Sequence, residues 1–253
     1  MKNIAAALIF FTRLPFWRIK AFNVPLEYFK EVINYWAVTS WLTAGVMSGV
    51  LWLSAQIFPF PIAIVLALLS RILLTGALHE DGLADFLDGF GGGKDKDSTL
   101  SIMKDSHIGT YGVIGLLFYF LLLYLSLSYL PLSVACIVIL MSDPLCKLIA
   151  SQIVRFLPYA RAAEESKSKM IYEKMSPKAF VVSSLFGLFP LILIPDIRWL
   201  IAIVFPLFTF GLLVYLMKRR INGYTGDCCG ALFLLCELLF YLGIVVLFRL
   251  FSE

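Results

Sequence analysis

The stretch LLTGALHEDGLADFLDGFGGGKDKDS, residues 73–98, sets His79, Glu80, Asp81, Asp85 and Asp88 against the end of an apolar run and closes in glycines. Asp81, Asp85 and Asp88 are spaced i, i+4, i+7, so a helix continuing past His79 carries all three carboxylates on one face. Carboxylates so placed repel one another unless something neutralises them. A hard divalent cation does this. Magnesium takes oxygen ligands, keeps several waters, and is typically held by one or two carboxylates plus substrate phosphates. Gly89, Gly91, Gly92 and Gly93 follow at once, and glycine backbone can offer its N–H groups as an anion nest. Metal carboxylates beside a phosphate loop point to phosphoryl transfer. The competing reading is a helix end with a solvated acidic face and a flexible loop.

Two further blocks carry polar chemistry. In LSIMKDSHIGTYGVIG, Lys104, Ser106 and Thr110 can hold phosphate, and Asp105 can hold metal or accept a proton. The same residues also read as a capped helix start. In RRINGYTGDCCGALFLLCELL, Asp227 follows Thr225 and Gly226 and opens an apolar segment, with Glu237 three turns further in. Intramembrane carboxylates are functional candidates by default, although Asp227 also suits a helix N-cap and Glu237 a structural pairing. Asp143 and Lys147, four residues apart, can neutralise each other. Arg71 meets a phosphate or balances the acidic cluster.

The elements that must position these groups are membrane helices. The 253 residues are 60% hydrophobic and 15% charged, with a mean hydropathy of +0.89, against about 25% charged in soluble domains. A span needs roughly 20 apolar residues. Seven are predicted, at about 35–57, 61–79, 111–130, 132–153, 179–195, 199–217 and 228–250. The expected fold is thus an all-α, polytopic membrane helix bundle forming a single integral membrane domain over 1–253. Residues 1–34 read as a cytoplasmic or interfacial arm, since Phe10, Phe11, Phe16 and Trp17 lie beside Arg13, Arg18 and Lys20. FFTRLPFWR has no small-residue cleavage site behind an apolar core, so no cleavable signal is expected. Seventeen of the 21 Lys and Arg fall in that arm and in loops 80–110, 154–178 and 218–227. The positive-inside rule places the N-terminus and all three loops in the cytoplasm. No basic nucleic-acid stripe is present. The five cysteines have no zinc spacing and read as small buried hydrophobes.

Four blocks resemble a known family. GALHEDGLADFLDGFGGG, IMKDSHIGTYG and NGYTGDCCGA resemble the signature regions of cobalamin synthases, the adenosylcobinamide-GDP ribazoletransferases, and FFTRLP resembles their N-terminal signature. The blocks occur in the family's order, and the resemblance runs from about residue 4 to 250. It implies a Mg²⁺-dependent enzyme of the cell membrane. That enzyme joins α-ribazole, or its 5′-phosphate, to adenosylcobinamide-GDP, giving adenosylcobalamin, or its phosphate, and GMP. Glu80, Asp81, Asp85 and Asp88 are then the metal and pyrophosphate site. Asp88, Asp105 and Asp227 are candidate catalytic residues. Arg13, His79, Gly91, Gly92, Gly93, Lys104, Ser106, His107 and Thr225 are candidate substrate contacts. The chain departs from the family pattern at Glu80, where Leu is common, and at His107, where Arg is common. Self-association is left open.

Two other functions are consistent with parts of this pattern. A CDP-alcohol phosphotransferase acting on lipid shares the DG-x-x-A start, but Asp85 stands where that motif needs Arg and the later spacing fails. A secondary transporter would use the intramembrane charges, but no internal repeat is visible.

The charge count gives a direct topology test. Single cysteines at Ser98, Ser168 and Asn222, in a background lacking the five native ones, are expected to resist an impermeant thiol reagent in intact cells and to react once the membrane is opened. Labelling of any of the three from outside breaks the assignment.

Overall fold

The computed structural model describes residues 2–161 and 171–251. Ser168 and the basic residues Lys167 and Lys169 lie outside the described residues. The chain is helical almost throughout. In order, α1 is Lys2–Phe11, α2 Trp36–Ser54, α3 Phe60–Thr75, α4 Leu78–Gly92, α5 Lys96–Lys104 and α6 Thr110–Tyr129. Then follow α7 Leu132–Ser151, α8 Ile153–Phe156, α9 Pro177–Leu188, α10 Val204–Ile221 and α11 Gly226–Phe251. Short 3-10 turns lead into α2 and α10 and extend α9 to Leu193.

Among the described residues, five segments are long and apolar enough to cross a bilayer: Leu26–Ser54, Thr110–Tyr129, Leu132–Phe156, Ile197–Ile221 and Gly226–Phe251. The other two predicted spans are different objects. Pro177–Leu193 is a shorter apolar helix, broken into 3-10 geometry at Phe189 and Pro190. The span expected at 61–79 stops at Thr75, and the chain turns 90° into α4. Gly76 and Ala77 make that turn, with φ of +68° and +57°. Glycine enters this left-handed region without penalty, whereas Ala77 is strained there. The Arg13 guanidinium packs where a Gly76 side chain would stand, and the Arg13 N–H donates to Leu74 O at 2.7 Å. The acidic block is therefore neither the tail of a span nor part of a loop. It is a separate 15-residue helix packed alongside the first turns of α6 and α11.

The bundle is apolar outside and charged within. Val65, Leu69, Leu117, Phe118, Leu207 and Phe208 are exposed along the spans, whereas Arg71, Asp143, Lys147 and Glu237 are buried. This suits a lipid solvent, where apolar surface costs nothing and charges must pair inside. Arg71 on α3 donates to both Glu237 carboxylate oxygens on α11, at 2.8 and 2.7 Å. It also donates to the Tyr119 hydroxyl on α6 at 2.8 Å. On α7, Lys147 pairs with Asp143 at 2.6 Å, and both hold the Thr43 hydroxyl of α2 at 2.8 Å. The Phe233 ring lies between the two cations, 4.8 Å from Lys147 Nζ and 5.9 Å from the Arg71 guanidinium carbon. The expected i, i+4 pair is thus present, and both Arg71 and Glu237 have structural partners.

Removing one partner leaves a buried charge, which typically costs about 3–5 kcal/mol. Glu237→Gln is expected to lower the thermal unfolding midpoint in detergent by many degrees. Arg71→Met combined with Glu237→Leu should recover much of that loss. Equal instability of the single and double variants would show that the pair is not the source of the effect.

Candidate active site

The site is built where α4 crosses α11. A Cβ on Gly82 would lie 3.0 Å from the Asp227 carbonyl oxygen and 3.1 Å from its Cα. One on Gly230 would lie 3.0 Å from the His79 carbonyl oxygen. The two glycines let the backbones approach as small residues do between membrane helices. This contact brings Asp81 and Asp227, 146 residues apart in the chain, into one cleft of about 120 Å³ that is partly open to solvent. Asp81 is exposed at its mouth and Asp227 is half-buried.

A third wall comes from the loop after α8. Ala160 N–H donates to Tyr224 O at 2.8 Å and Tyr224 N–H to Pro158 O at 3.0 Å, tying that loop to the start of α11. The tie sets Tyr159 and Arg161 in the cleft wall. Arg161 is buried and donates to Leu100 O at 2.7 Å, which fixes a positive charge there. The remaining wall is aromatic: Phe10 and Phe11 from α1, Trp36 from α2, and Tyr172.

The predicted residues separate into groups. Asp81, Asp227 and His79 line the cleft. Asp85 lies one turn along α4 from Asp81 and is largely buried. Asp88 accepts the backbone N–H groups of Gly109 and Gly112 at 2.6 and 2.9 Å. It therefore caps α6 from a neighbouring helix and ties α4 to it. The start of α6 supplies no side-chain cap of its own. A side chain at either glycine would collide with that carboxylate.

Several expectations are corrected. Glu80 is separated from Asp81 by about 100° around the helix. It is buried with both carboxylate oxygens unpartnered among the described residues, does not line the cleft, and acts electrostatically on Arg71 and Tyr119. It therefore does not share the face of Asp81, Asp85 and Asp88. Gly91, Gly92 and Gly93 do not form an anion nest. They are the last turn and C-cap of α4, where carbonyl oxygens face outward and attract cations. Arg220 donates to Gly93 O there. Gly91 and Gly93 admit Tyr111 and Thr99 at close range. Thr225 is buried, and its hydroxyl accepts the Cys228 N–H at 3.3 Å as the cap of α11. The capping role weighed for Asp227 therefore belongs to Thr225. Arg13 holds the α3–α4 corner and lies outside the cleft lining.

Lys104, Asp105, Ser106 and His107 are exposed between α5 and α6 and do not line the cleft. Asp105 accepts both the His107 backbone N–H, at 3.0 Å, and its ring Nδ1–H, at 2.7 Å. These bonds hold the Asp105 carboxyl below its ordinary range, so it is ionised at neutral pH. Such a group is a poor proton acceptor.

Sequence reasoning missed Arg161 and the aromatic wall. Arg161 appeared only as one charge among many. Trp36 and Phe11 could be found only by knowing that α1 and α2 flank the α4–α11 crossing. Among the described residues, no three His, Cys, Asp or Glu side chains converge as a ready-made metal cage. Magnesium needs only one or two carboxylates when substrate phosphates complete its shell. Asp81, accessible in the cleft, meets that requirement, and Asp85, buried and outside the cleft lining, shares its helix face.

A multi-pass helical membrane protein with a carboxylate and arginine cleft at one end of its bundle is the class these features define. The chain belongs to the cobalamin-5-phosphate synthase (CobS) family, whose profile matches residues 3–245. Similar proteins named adenosylcobinamide-GDP ribazoletransferase occur in Leptospira interrogans, at 35% identity over 96% of this chain and 95% of the relative. That of Shewanella amazonensis is 36% identical over 95% and 94%, and that of Vibrio cholerae 36% over 93% and 90%. No solved structure matches the chain. The family assignment sets aside the CDP-alcohol phosphotransferase and transporter readings.

The crossing itself is open to test. Gly82→Val adds methyl groups beyond a Cβ that already meets Asp227 backbone at 3.0 Å. Overpacking of this kind costs about 1–3 kcal/mol. A lower unfolding midpoint is expected, together with a loss of turnover larger than the stability change explains. Wild-type values for both would show that the crossing tolerates separation.

Proposed function

We propose that this chain transfers the adenosylcobinamide-phosphate moiety of adenosylcobinamide-GDP to α-ribazole, or its 5′-phosphate, and releases GMP. The product is adenosylcobalamin, or its 5′-phosphate. Its family and the names of its relatives support this reading. The observation that carries it is the meeting of Asp81, Asp227 and Arg161 in one cleft at the end of the bundle.

The ribose hydroxyl of ribazole attacks the phosphorus attached to the corrinoid arm. A new O–P bond forms, the P–O bond to GMP breaks, and the bridging oxygen leaves with its electron pair on GMP. Asp227 orients the hydroxyl and takes its proton. Arg161 balances charge on the diphosphate with a guanidinium that its bond to Leu100 keeps in place. Asp81 and Asp85 would hold Mg²⁺, which supplies charge neutralisation for the departing phosphate when bound. The aromatic wall limits water at the reacting groups. The enzyme works in the cytoplasmic membrane with this cleft facing the cytoplasm, where its nucleotide substrate is found.

Asp81→Asn and Asp227→Asn each remove a charge and keep the shape. Both are expected to reduce metal-dependent GMP release from adenosylcobinamide-GDP by about 10²–10⁴-fold, with little change in unfolding midpoint. Because Thr225 caps α11, Asp227→Asn has no capping loss to confuse the result. At least half of normal activity in the Asp227 variant returns that residue to a structural role. Near wild-type activity of Asp81→Asn at saturating magnesium removes the metal assignment.

A further inference from the structure

Two residues of the cleft lining carry ring nitrogens that the fold does not use. They are Trp36 and His79, with 1% and 2% of their surface exposed. Trp36 Nε1 and His79 Nε2 have no hydrogen-bond partner among the described residues. The rings lie 5.2 Å apart at an interplanar angle of 55°. Phe11 stacks on Trp36 at 5.1 Å and 14°, and Phe233 closes on both rings from behind, at 5.4 Å from Trp36 and 5.2 Å from His79. An orphaned buried donor costs its desolvation, about 1–3 kcal/mol, so native proteins rarely keep one without a reason. Tryptophan Nε1–H can only donate. A complementary ligand is a flat aromatic ring that stacks on apolar faces and carries an accepting nitrogen at its edge.

Both substrates in the reading above carry flat rings with accepting nitrogens, but guanine and adenine also bear exocyclic amino or carbonyl groups that the Phe11, Trp36 and Phe233 rings cannot satisfy, whereas the base of ribazole has a single free acceptor and no other polar edge. Its benzimidazole is planar, one nitrogen bears the ribose, and the other is an unsubstituted acceptor. Resting on that reading, we infer that the Phe11–Trp36–His79 end of the cleft is the benzimidazole subsite, in which Trp36 Nε1–H donates to the free ring nitrogen of the base. The ribose then points outward along the cleft, toward Asp227 and Asp81. Trp36 thereby sets acceptor specificity, because a base lacking that nitrogen leaves the indole N–H unpaired. Rejection of a ligand that strands a buried polar group is stronger than rejection based on size alone.

The test pairs a deletion on the protein with one on the ligand. Equilibrium binding of α-ribazole and of its indole analogue, with CH in place of the free nitrogen, is measured on full-length protein in detergent without the second substrate. Wild-type protein should bind α-ribazole about tenfold or more tightly than the indole analogue, the loss expected for one buried hydrogen bond. Trp36→Phe keeps an aromatic ring and removes the N–H. It should bind both ligands alike, with KM for α-ribazole raised and KM for adenosylcobinamide-GDP unchanged. Equal wild-type affinity for the two ligands overturns the inference without any variant having to fold. Discrimination that persists in a folded Trp36→Phe protein also overturns it, as does a wild-type protein that binds neither. Failure of the transferase reading looks different: wild-type protein releases no GMP, whatever the binding series shows.

Discussion

Charge neutrality inside the bundle is the constraint on which the rest depends. Arg71, Glu237, Asp143 and Lys147 are all buried among helices whose outer faces are apolar. In a lipid solvent none of them has water to fall back on, so each must find its counter-charge within the protein. The two pairs, with Tyr119 and Thr43, connect α2, α3, α6, α7 and α11. These contacts have strict distance and direction, which apolar packing alone does not impose. They fix the register of the spans and therefore the height at which α11 presents its first turn. Phe233 carries this order outward: one set of contacts is with the two cations, another with Trp36 and His79. The ionic layer and the inner end of the cleft thus share a side chain.

Above that layer the chain does something a simple bundle cannot. It breaks the second apolar segment at Gly76 and Ala77 and sets α4 against α6 and α11. Without the 90° turn, α4 would continue the line of α3. The turn instead aligns Gly82 and Gly230, and the resulting contact of backbones sets Asp81 beside Asp227. Asp88 holds the far half of the same helix by capping α6. The three aspartates share one helix face, yet they have distinct surroundings: an open cleft, a buried flank and a helix cap.

Much of this was legible in the sequence, for identifiable reasons. Long apolar runs gave the spans, and the spacing of Asp143 and Lys147 gave their pair, because both signals are local. The i, i+4, i+7 spacing of Asp81, Asp85 and Asp88 correctly gave one helix face, but not what faces it. Gly76 can end a helix, yet the second left-handed residue, Ala77, has no local signature, so the break was missed and α4 was read as the continuation of a span. The Gly91–Gly93 run suggested a phosphate loop because glycine permits nests as well as close packing. The neighbours decide between them, and here Tyr111 and Thr99 decide for packing. Glu80 was grouped with Asp81 by adjacency, although neighbouring helical residues point about 100° apart. Arg161 and Trp36 join the site through contacts with distant elements and carry no local mark.

The α4–α11 crossing also has a consequence for biosynthesis. Domains and segments emerge from the ribosome in order, N-terminal parts first. The first half of the cleft, on α4, is made about 140 residues before the second half, on the final helix. At 15 residues, with Glu80, Asp81, Asp85 and Asp88 along it, α4 is too short and too acidic to enter the bilayer as a span of its own. Its docking on Gly230 has to follow the synthesis of α11, with its start already held by the Arg13 contact near Gly76. A nascent chain stalled or truncated before residue 226 already has most of its spans and only one side of the cleft. The cleft therefore closes only with the last helix.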